Sequence, residues 1–194
     1  MKELNRKTVF EGAVFNVIEK QIELDNGQII TRQVVESSPV VHALCFDADS
    51  DSVYVLEEYR SGCGRVTKGI VGGKIDAGET PEEAVTREIK EELGCTPVQM
   101  QAVSNTSFYS TIGISNEEGY YYIAFVKPLT PEELALHSKD SDEYINVSKV
   151  SFDEFHKMLV KGDIPDLKVM ALWTIFSLKE AYGRIVDDEL KNNN

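Results

Sequence analysis

Residues 72–95 decide the fold of this chain and read GGKIDAGETPEEAVTREIKEELGC. Thr80 and Glu83 have the spacing of a capping box, and a proline follows Thr80 at the first helical position. Gly94 is a natural C-terminal stop. The stretch therefore predicts a helix from about residue 81 to about residue 93, preceded by a glycine-rich loop.

The predicted helix has two distinct faces. One face carries apolar residues at four-residue spacing and should pack inward: Val85, Ile89 and Leu93. The neighbouring arc, roughly 100° wide, carries Glu88, Glu91 and Glu92. These carboxylates repel one another, and Arg87 can offset one of them because it lies four residues before Glu91. Clustered carboxylate oxygens suit Mg²⁺ or Mn²⁺, which predicts a metal site on this arc.

The spacing of the fixed residues in this stretch resembles the box of the Nudix hydrolases. The matching residues are Gly73, Glu79, Arg87, Glu88, Glu91, Glu92 and Gly94. Cys95 stands where the family usually has an aliphatic residue, and a buried thiol can act as a small hydrophobe. The rival interpretation is an ordinary charged, solvated helix, and it leaves the preceding loop at box spacing unexplained.

The resemblance implies a role for each residue of the box. Glu88 and Glu92 are expected to be the principal Mg²⁺ ligands, with Mn²⁺ as an alternative ion, and Glu91 to assist or hold a second ion. The carbonyl of Gly72 is expected to complete a metal site. Arg87 is expected to orient the carboxylates. The remaining box residues have structural roles, with Glu79 supporting the loop: Gly73, Glu79 and Gly94.

Further segments resemble the ADP-ribose pyrophosphatase branch of that family. They are residues 57–60, 70–73, 110–117, 142–147 and 164–168, together with an N-terminal β-meander that in this branch exchanges between two subunits. Two departures affect expected substrate contacts. Residues 68–73 lack the Trp and Glu that usually precede the box, and Ile112 replaces a proline.

The resemblance also suggests residues that contact substrate. Arg60, with Glu58 beside it, is a candidate for holding a phosphate or the terminal ribose, against the alternative of a surface arginine. Glu143 is a candidate catalytic base or water-orienting group, and a solvated loop carboxylate is an equal alternative. The sugar end of the pocket is expected to be lined by Ser110, Gly113, Ser115 and Glu117.

Composition limits the class of protein. The chain has 194 residues and a formal net charge of −13, which argues against nucleic acid or an anionic membrane as a general partner. Its three cysteines are widely spaced and fit a reduced cytoplasm. The first residues show no signal-peptide core, and no apolar run is long enough to span a bilayer.

The alternation of polar and apolar residues predicts the remaining elements. Residues 8–36 read as an N-terminal β-meander around the turn at residues 25–27. Further strands are expected at 40–46, 53–59, 98–103, 120–126 and 143–150, with residues 107–115 a strand or a loop. A mobile loop is expected at residues 130–142. The resemblance implies that residues 1–38 are a dimerisation meander and residues 39–186 the Nudix domain, and residues 187–194 are expected to be a disordered tail.

Two helices are expected after the last strand. Ser151 caps one that ends at Gly162, and Asp166 caps the other. The stripe predicted to be buried on the last helix is Met170, Trp173, Thr174 and Leu178. Trp173 is interpreted as a core anchor rather than a platform for a base. Phe15 is a candidate for stacking on the base, or equally a core residue. The histidines are interpreted as structural or surface residues: His42, His137 and His156.

Mixed strands and flanking helices predict an α/β fold, a layered α/β/α sandwich with a mixed sheet and a small N-terminal β-meander. The resemblance implies the same fold, a homodimer and Mg²⁺-dependent hydrolysis of ADP-ribose, a nucleotide sugar, to AMP and ribose 5-phosphate. The alternatives are a Nudix hydrolase of another nucleotide, such as NADH, a dinucleoside polyphosphate or another nucleoside-diphosphate sugar, and a catalytically silent nucleotide-sensing module.

Overall fold

A computed structural model describes residues 1–136 and 145–192, with side chains described for residues 1–134 and 145–179. The N-terminal part is a three-stranded antiparallel sheet of β1 (Lys2–Glu11), β2 (Asn16–Glu23) and β3 (Ile29–Glu36). The β2–β3 turn contains Gly27 with a φ of 80°, a backbone conformation that glycine adopts without strain. The predicted N-terminal meander is therefore present and begins at Lys2.

In the part of the chain that the structure describes, the second sheet has eight strands. They are β4 (Val40–Asp47), β5 (Ser52–Arg60), β6 (Arg65–Gly69), β7 (Val71–Lys74), β8 (Pro97–Ala102), β9 (Phe108–Tyr109), β10 (Glu118–Val126) and β11 (Asn146–Ser151). The central path runs β11-β5-β4-β10-β8, while β6 pairs with β5, β7 with β4 and β9 with β10. Strands β4 and β10 are parallel and their other pairings are antiparallel, so the sheet is mixed as predicted.

Within residues 1–136 and 145–192, four helices accompany this sheet: α1 (Pro81–Leu93), α2 (Pro131–Leu136), α3 (Phe152–Lys161) and α4 (Leu167–Asn192). The core on one face of the sheet joins strand residues such as Val41 and Leu56 to Ile89 and Leu93 of α1. The core on the other face joins Phe46 to residues of α3 and α4. Apolar residues alternate between the two cores along β4 and β5, which gives the predicted α/β/α sandwich.

Helix α1 has the predicted bounds. The Thr80 side chain accepts a hydrogen bond from the Glu83 N–H, the Glu83 carboxylate accepts from the Thr80 N–H, and Gly94 ends the helix in the left-handed conformation. Ala84, Val85, Ile89 and Leu93 are buried, as the apolar face predicts. Ser151 caps α3 and Gly162 ends it, again as predicted.

Three short elements were not predicted: α2, β6 and β7, which occupies the start of the expected glycine-rich loop. Residues 131–136 form α2 rather than part of a mobile loop, because Thr130 and Glu133 make the same reciprocal capping bonds as Thr80 and Glu83. The rest of that expected loop, residues 137–142, lies outside the described residues. Residues 65–69 form β6 rather than a loop, because a tight turn at residues 61–64 returns the chain alongside β5.

The buried stripe predicted for α4 was partly wrong. Val169 and Leu172 are buried, whereas Met170, Thr174 and Leu178 are exposed, so the stripe lies one residue earlier along the helix. Trp173 packs on Phe155, with ring centroids 5.0 Å apart, as a core anchor. The backbone of α4 continues through residues 187–192, where a disordered tail was expected, because Glu189, Leu190 and Lys191 are good helix formers. No helix of the described residues is long and apolar enough to cross a membrane.

Candidate active site

Arg87 lies at the centre of an ion-pair cluster beside α1. Its Nε and Nη2 donate to the two oxygens of Glu79, each at 3.0 Å. Its Nη1 donates to Glu88 Oε1 at 2.7 Å and to Glu91 Oε2 at 3.1 Å. Its Nη2 also donates to the carbonyl of Lys74 at 2.9 Å. The guanidinium thus ties the loop before the helix to two of the carboxylates on it, and the predicted Arg87–Glu91 contact is confirmed.

Glu79 fixes the glycine-rich loop from the other side. Its Oε2 accepts a hydrogen bond from the Asp76 N–H at 3.1 Å, in addition to the two from Arg87. Hydrogen bonds from Arg87 and Asp76 lower the pKa of Glu79, and the bonds to Glu79 raise the pKa of Arg87. Both charges are therefore held in place, and the supporting role of Glu79 stays a prediction.

Glu88 lies over Gly73 of β7. A Cβ on Gly73 would collide with the Glu88 carboxylate, so glycine at this position makes room for it. The side chain of Glu88 is only 12% exposed. Burial raises the pKa of Glu88, and the hydrogen bond and charge of Arg87 oppose that rise.

Glu92 is the least compensated carboxylate of the cluster. Its Oε2 accepts one hydrogen bond, from the Gly72 N–H at 3.2 Å. Burial and the nearby charge of Glu88 raise the pKa of Glu92 to about 9. Glu91 lies further out, with its side chain 55% exposed. The arc of carboxylates predicted on the helix thus contains two sheltered members, Glu88 and Glu92, and one that faces water.

The donor set fits a divalent cation with hard oxygen preferences. Among the residues that the structure describes, no three His, Cys, Asp or Glu side chains alone form a metal-binding group. Glu88 and Glu92 are nevertheless adjacent carboxylates, one helical turn apart, that repel each other in a poorly hydrated site. A cation would relieve that repulsion, and Mg²⁺ or Mn²⁺ commonly binds with two carboxylates plus substrate phosphates and waters. The residues therefore fit the predicted ion.

Arg60 and Glu58 lie close to this cluster. The Arg60 guanidinium forms an ion pair with the Glu58 carboxylate on β5. Both charges act on Glu92, with Glu58 raising its pKa and Arg60 lowering it. The structure thus brings the predicted phosphate-binding arginine into electrostatic reach of the predicted metal ligands. The roles of the two residues in substrate binding stay predictions.

The loop at residues 110–117 connects β9 to β10 and docks on the meander. The Val35 N–H donates to the Ile114 carbonyl at 2.8 Å, and the Asn116 N–H donates to the Val35 carbonyl at 3.1 Å. The Asn116 side chain also accepts from the Ser37 N–H at 3.0 Å. Ser115 accepts from the Glu117 N–H at 3.1 Å. The loop is mostly a turn rather than a strand, and it is anchored by β3.

The other residues predicted to contact substrate differ in how far they are exposed. Ser110 and Gly113 are exposed in the turn, whereas Ser115 and Glu117 are partly buried. Glu143 lies outside the described residues. Asn116 was missed as the anchor of this loop, although an asparagine after a turn is a common hydrogen-bonding residue. The sequence also did not indicate that His42 contacts Gly72, because that contact depends on pairing between β4 and β7.

Comparison with known proteins agrees with this geometry. The NUDIX domain family model matches residues 37–173. The chain is 28% identical over 186 residues to an ADP-ribose pyrophosphatase of Bacillus subtilis (strain 168), covering 93% of this chain and 97% of the relative. It is 27% identical over 180 residues to a methanol dehydrogenase activator of Bacillus methanolicus, covering 93% and 94%.

A solved structure has the same fold. The crystal structure of an ADP compounds hydrolase superposes with a TM-score of 0.74 at 19% identity, covering 94% of this chain and 95% of that one. The family model spans well over half of the chain and includes the whole carboxylate cluster. The chain therefore belongs to the Nudix hydrolase family, and its full-length relatives include an ADP-ribose pyrophosphatase.

Proposed function

We propose that this hydrolase cleaves the pyrophosphate bond of ADP-ribose in a Mg²⁺-dependent reaction that gives AMP and ribose 5-phosphate. The observation that carries the proposal is the pair of sheltered carboxylates, Glu88 and Glu92, held one turn apart beside Gly72. The name of the Bacillus subtilis relative supports the choice of ADP-ribose. The runner-up is another nucleoside-diphosphate derivative, which the departures at residues 68–73 and at Ile112 favour.

The residues of the site have separate tasks in this proposal. Glu88 and Glu92 would hold the ion, with the Gly72 carbonyl completing the site and Glu91 assisting. When bound, the ion supplies Lewis-acid activation of water and charge neutralisation at the phosphate. Arg87 keeps the carboxylates in register through its bonds to Glu79, Glu88 and Lys74, so the ligands need no rearrangement when substrate arrives.

Substrate recognition uses groups around the carboxylates. The net charge of −13 repels a diphosphate, so local positive charge is needed at the site. Arg60 lies near Glu92 and is proposed to bind a phosphate or the terminal ribose, with Glu58 orienting it. Ser110, Gly113, Ser115 and Glu117 are proposed to line the sugar end. Glu143 is the proposed base or water-orienting residue.

The proposal also includes the oligomeric state of the enzyme and its location in the cell. Residues 1–38 are proposed to form a dimerisation meander for residues 39–186, giving a homodimer in the cytoplasm. In support, β1 is exposed along its whole length and pairs only with β2 among the described residues. Such an edge can pair with a second chain. Hydrodynamic mass at micromolar concentration tests this, and a monomer would contradict it.

A substrate panel tests the proposed function. The purified protein is incubated with ADP-ribose, other nucleoside-diphosphate sugars, NADH and dinucleoside polyphosphates, each with Mg²⁺ and with Mn²⁺. Phosphate released by added phosphatase from the monophosphate products reports cleavage. We expect the highest kcat/KM for ADP-ribose with Mg²⁺. A higher value for another substrate would identify the alternative hydrolase, and no cleavage of any substrate would favour the silent sensing module.

A further inference from the structure

The register between β4 and β7 determines which way the backbone of Gly72 points. In this antiparallel pair His42 lies opposite Gly72. At the end of the same ladder, the Ile75 N–H donates to the Pro39 carbonyl at 2.9 Å, so those two residues form a hydrogen-bonded pair. Hydrogen-bonded and non-hydrogen-bonded pairs alternate along an antiparallel ladder. Three steps further along, His42 and Gly72 therefore form a non-hydrogen-bonded pair.

This pairing directs both polar groups of Gly72 toward the carboxylate cluster. A residue in a non-hydrogen-bonded pair points its N–H and its carbonyl away from the strand it faces. In Gly72 both groups therefore point to the outer edge of β7, which among the described residues pairs only with β4. On that edge the Gly72 N–H donates to Glu92 Oε2 at 3.2 Å. The Gly72 carbonyl lies on the same edge, which supports its proposed role as a metal ligand.

The ring of His42 lies against the other side of Gly72. The side chains of a non-hydrogen-bonded pair are close together. A Cβ on Gly72 would collide with the His42 ring, so the ring occupies the space beside the glycine. On its far side the ring stacks on Tyr121 of β10, with centroids 5.7 Å apart and planes 18° from parallel. His42 is thus wedged between a neighbouring ring and the backbone of β7.

Gly72 has no side chain with which to hold its own backbone. Two of the four residues of β7 are glycines, Gly72 and Gly73. Glycine has more backbone freedom than any other residue, and in a strand it has nothing to pack. The space that a side chain would take is filled by the His42 ring at Gly72 and by the Glu88 carboxylate at Gly73. The His42 ring therefore supplies the packing that Gly72 lacks.

The His42 ring acts by packing and lies on the opposite face of the sheet from the carboxylates. Leu44 and Phe46 of the same strand belong to the core beneath α3 and α4, and alternate residues of a strand share a face. Glu92 lies with α1 on the other face. Burial, together with the charge of Lys168, lowers the pKa of His42 to about 4, so its ring is uncharged at neutral pH. The backbone of Gly72 is the link between the ring and the cluster.

We propose that His42 is a positioning residue for the metal site. Its ring holds the backbone of Gly72, and so orients the N–H that binds Glu92 and the carbonyl proposed to bind the ion. This inference rests on the proposed metal-dependent function and adds a residue outside the carboxylate cluster that sets its affinity for the ion. Residues that orient metal ligands without touching the metal commonly change its affinity by about tenfold to a hundredfold.

The test uses two measurements that need no substrate and no turnover. Isothermal titration calorimetry gives the Mg²⁺ affinity, and nuclear magnetic resonance gives the hydrogen-exchange rate of the Gly72 amide in the metal-free protein. His42→Ala leaves a gap beside Gly72. We expect Mg²⁺ to bind about tenfold more weakly to this variant. The Gly72 amide should exchange faster, because its bond to Glu92 opens more often.

Two variants separate positioning from a general loss of packing. His42→Phe keeps a flat ring without the two nitrogens, and we expect it to restore Mg²⁺ affinity and Gly72 exchange to wild-type values. Ile123→Ala is the matched control. Ile123 packs in the same core on β10, two residues from Tyr121, and pairs with Leu44 rather than with β7. It should lower the melting temperature and leave both measurements unchanged.

A further variant decides the question if His42→Ala does not fold. Tyr121→Leu removes the ring that supports His42 from the β10 side. We expect a loss of Mg²⁺ affinity in the same direction as in His42→Ala and smaller, because the His42 ring itself remains. Unchanged affinity in Tyr121→Leu would then contradict the role of the wedged ring.

Three results would overturn the inference while the wild type binds Mg²⁺. The first is equal Mg²⁺ affinity and equal Gly72 exchange in His42→Ala and the wild type. The second is the same loss in Ile123→Ala, which would make His42 an ordinary core residue. The third is a loss in His42→Phe as large as in His42→Ala, which would assign the effect to the ring nitrogens. A wild type that binds Mg²⁺ without hydrolysing ADP-ribose would refute only the proposed reaction.

Discussion

Two carboxylates of this protein are withdrawn from water, and their pKa values shift in opposite directions. Asp47, at the end of β4, is 3% exposed. Burial would raise the pKa of Asp47, but hydrogen bonds from the Asp49 N–H, Lys149 and Tyr54 outweigh burial and lower it. Glu92 accepts one hydrogen bond and lies near Glu88, so burial raises its pKa to about 9.

The difference separates a structural carboxylate, Asp47, from one proposed to be functional, Glu92. Asp47 accepts from Asp49 at 2.9 Å and from Tyr54 and Lys149 at 3.1 Å each, so the fold itself stabilises its charge. The fold gives Glu92 one donor and a like charge instead. A sheltered carboxylate that the fold leaves short of partners is suited to bind something the fold does not contain, here a cation.

The largest effect is expected for Glu92→Gln. The amide removes one negative ligand atom from the metal site, so kcat for ADP-ribose should fall by about three orders of magnitude. The melting temperature should stay equal or rise, because the amide removes the cost of burying a carboxyl group whose pKa the fold raises. Steady-state kinetics and thermal unfolding check both. Glu82→Gln, the same change on the exposed side of α1, is the control and should keep wild-type kcat. Near-normal turnover in Glu92→Gln would refute the metal-ligand assignment.

A smaller loss is expected for Arg87→Lys. The guanidinium uses Nε, Nη1 and Nη2 on Glu79, Glu88, Glu91 and the Lys74 carbonyl, and an ammonium cannot reproduce that planar fork. We expect kcat to fall about tenfold to a hundredfold, the usual range when residues that orient metal ligands are changed. The Mg²⁺ concentration for half-maximal rate should rise in parallel. Equal kinetics in Arg87→Lys would show that the ion pairs do not position the ligands.

Asp47→Asn should change stability and leave turnover intact. An amide cannot accept from all three donors or pair with Lys149, so unfolding free energy should fall by about 2 kcal/mol. The kcat of the folded fraction should match the wild type. Urea unfolding followed by circular dichroism, with activity assayed on the same samples, measures both. A loss of kcat without a loss of stability would reverse the distinction between Asp47 and Glu92.

The pH dependence of stability follows from the same carboxylate. Because the pKa of Asp47 is lowered from its ordinary value of 3.8 in the folded state, the unfolded state takes up its proton first as pH falls. Asp47 therefore stabilises the fold above that value, and the stabilisation is lost on further acidification. The wild type should lose more unfolding free energy than Asp47→Asn between pH 5 and pH 3. Parallel curves for the two proteins would contradict the lowered pKa.

Capping motifs in the sequence predicted where helices begin. The tetrapeptide Thr-Pro-Glu-Glu starts α1 at residue 80 and recurs at residue 130, where it starts α2 with the same capping bonds. The second copy was overlooked because polar residues around it suggested a loop. On α4 the helical period of the apolar residues was predicted correctly, but the face that is buried was not. The buried face includes Val169 and Leu172, because packing on the sheet sets how the helix is rotated about its axis.

Contacts between residues that are far apart in the sequence could not be predicted. The helical spacing predicted the Arg87–Glu91 contact. The bidentate interaction of Arg87 with Glu79, by contrast, depends on how the loop folds back on α1. The stacking of His42 on Tyr121 depends on the register of β4 and β10, and no spacing along the chain reveals that His42 pairs with Gly72 and Tyr121. Chemistry within one helix was predictable, and chemistry assembled across the sheet was not.

The most direct measurement of the central claim is Mg²⁺ binding by isothermal titration calorimetry to the wild type, Glu92→Gln and Asp47→Asn. If Glu92 lacks partners because a cation completes the site, the wild type and Asp47→Asn should bind Mg²⁺ with equal affinity. Glu92→Gln should bind at least tenfold more weakly, the loss usual for a changed ligand environment. Equal Mg²⁺ affinity in Glu92→Gln and the wild type would contradict the account.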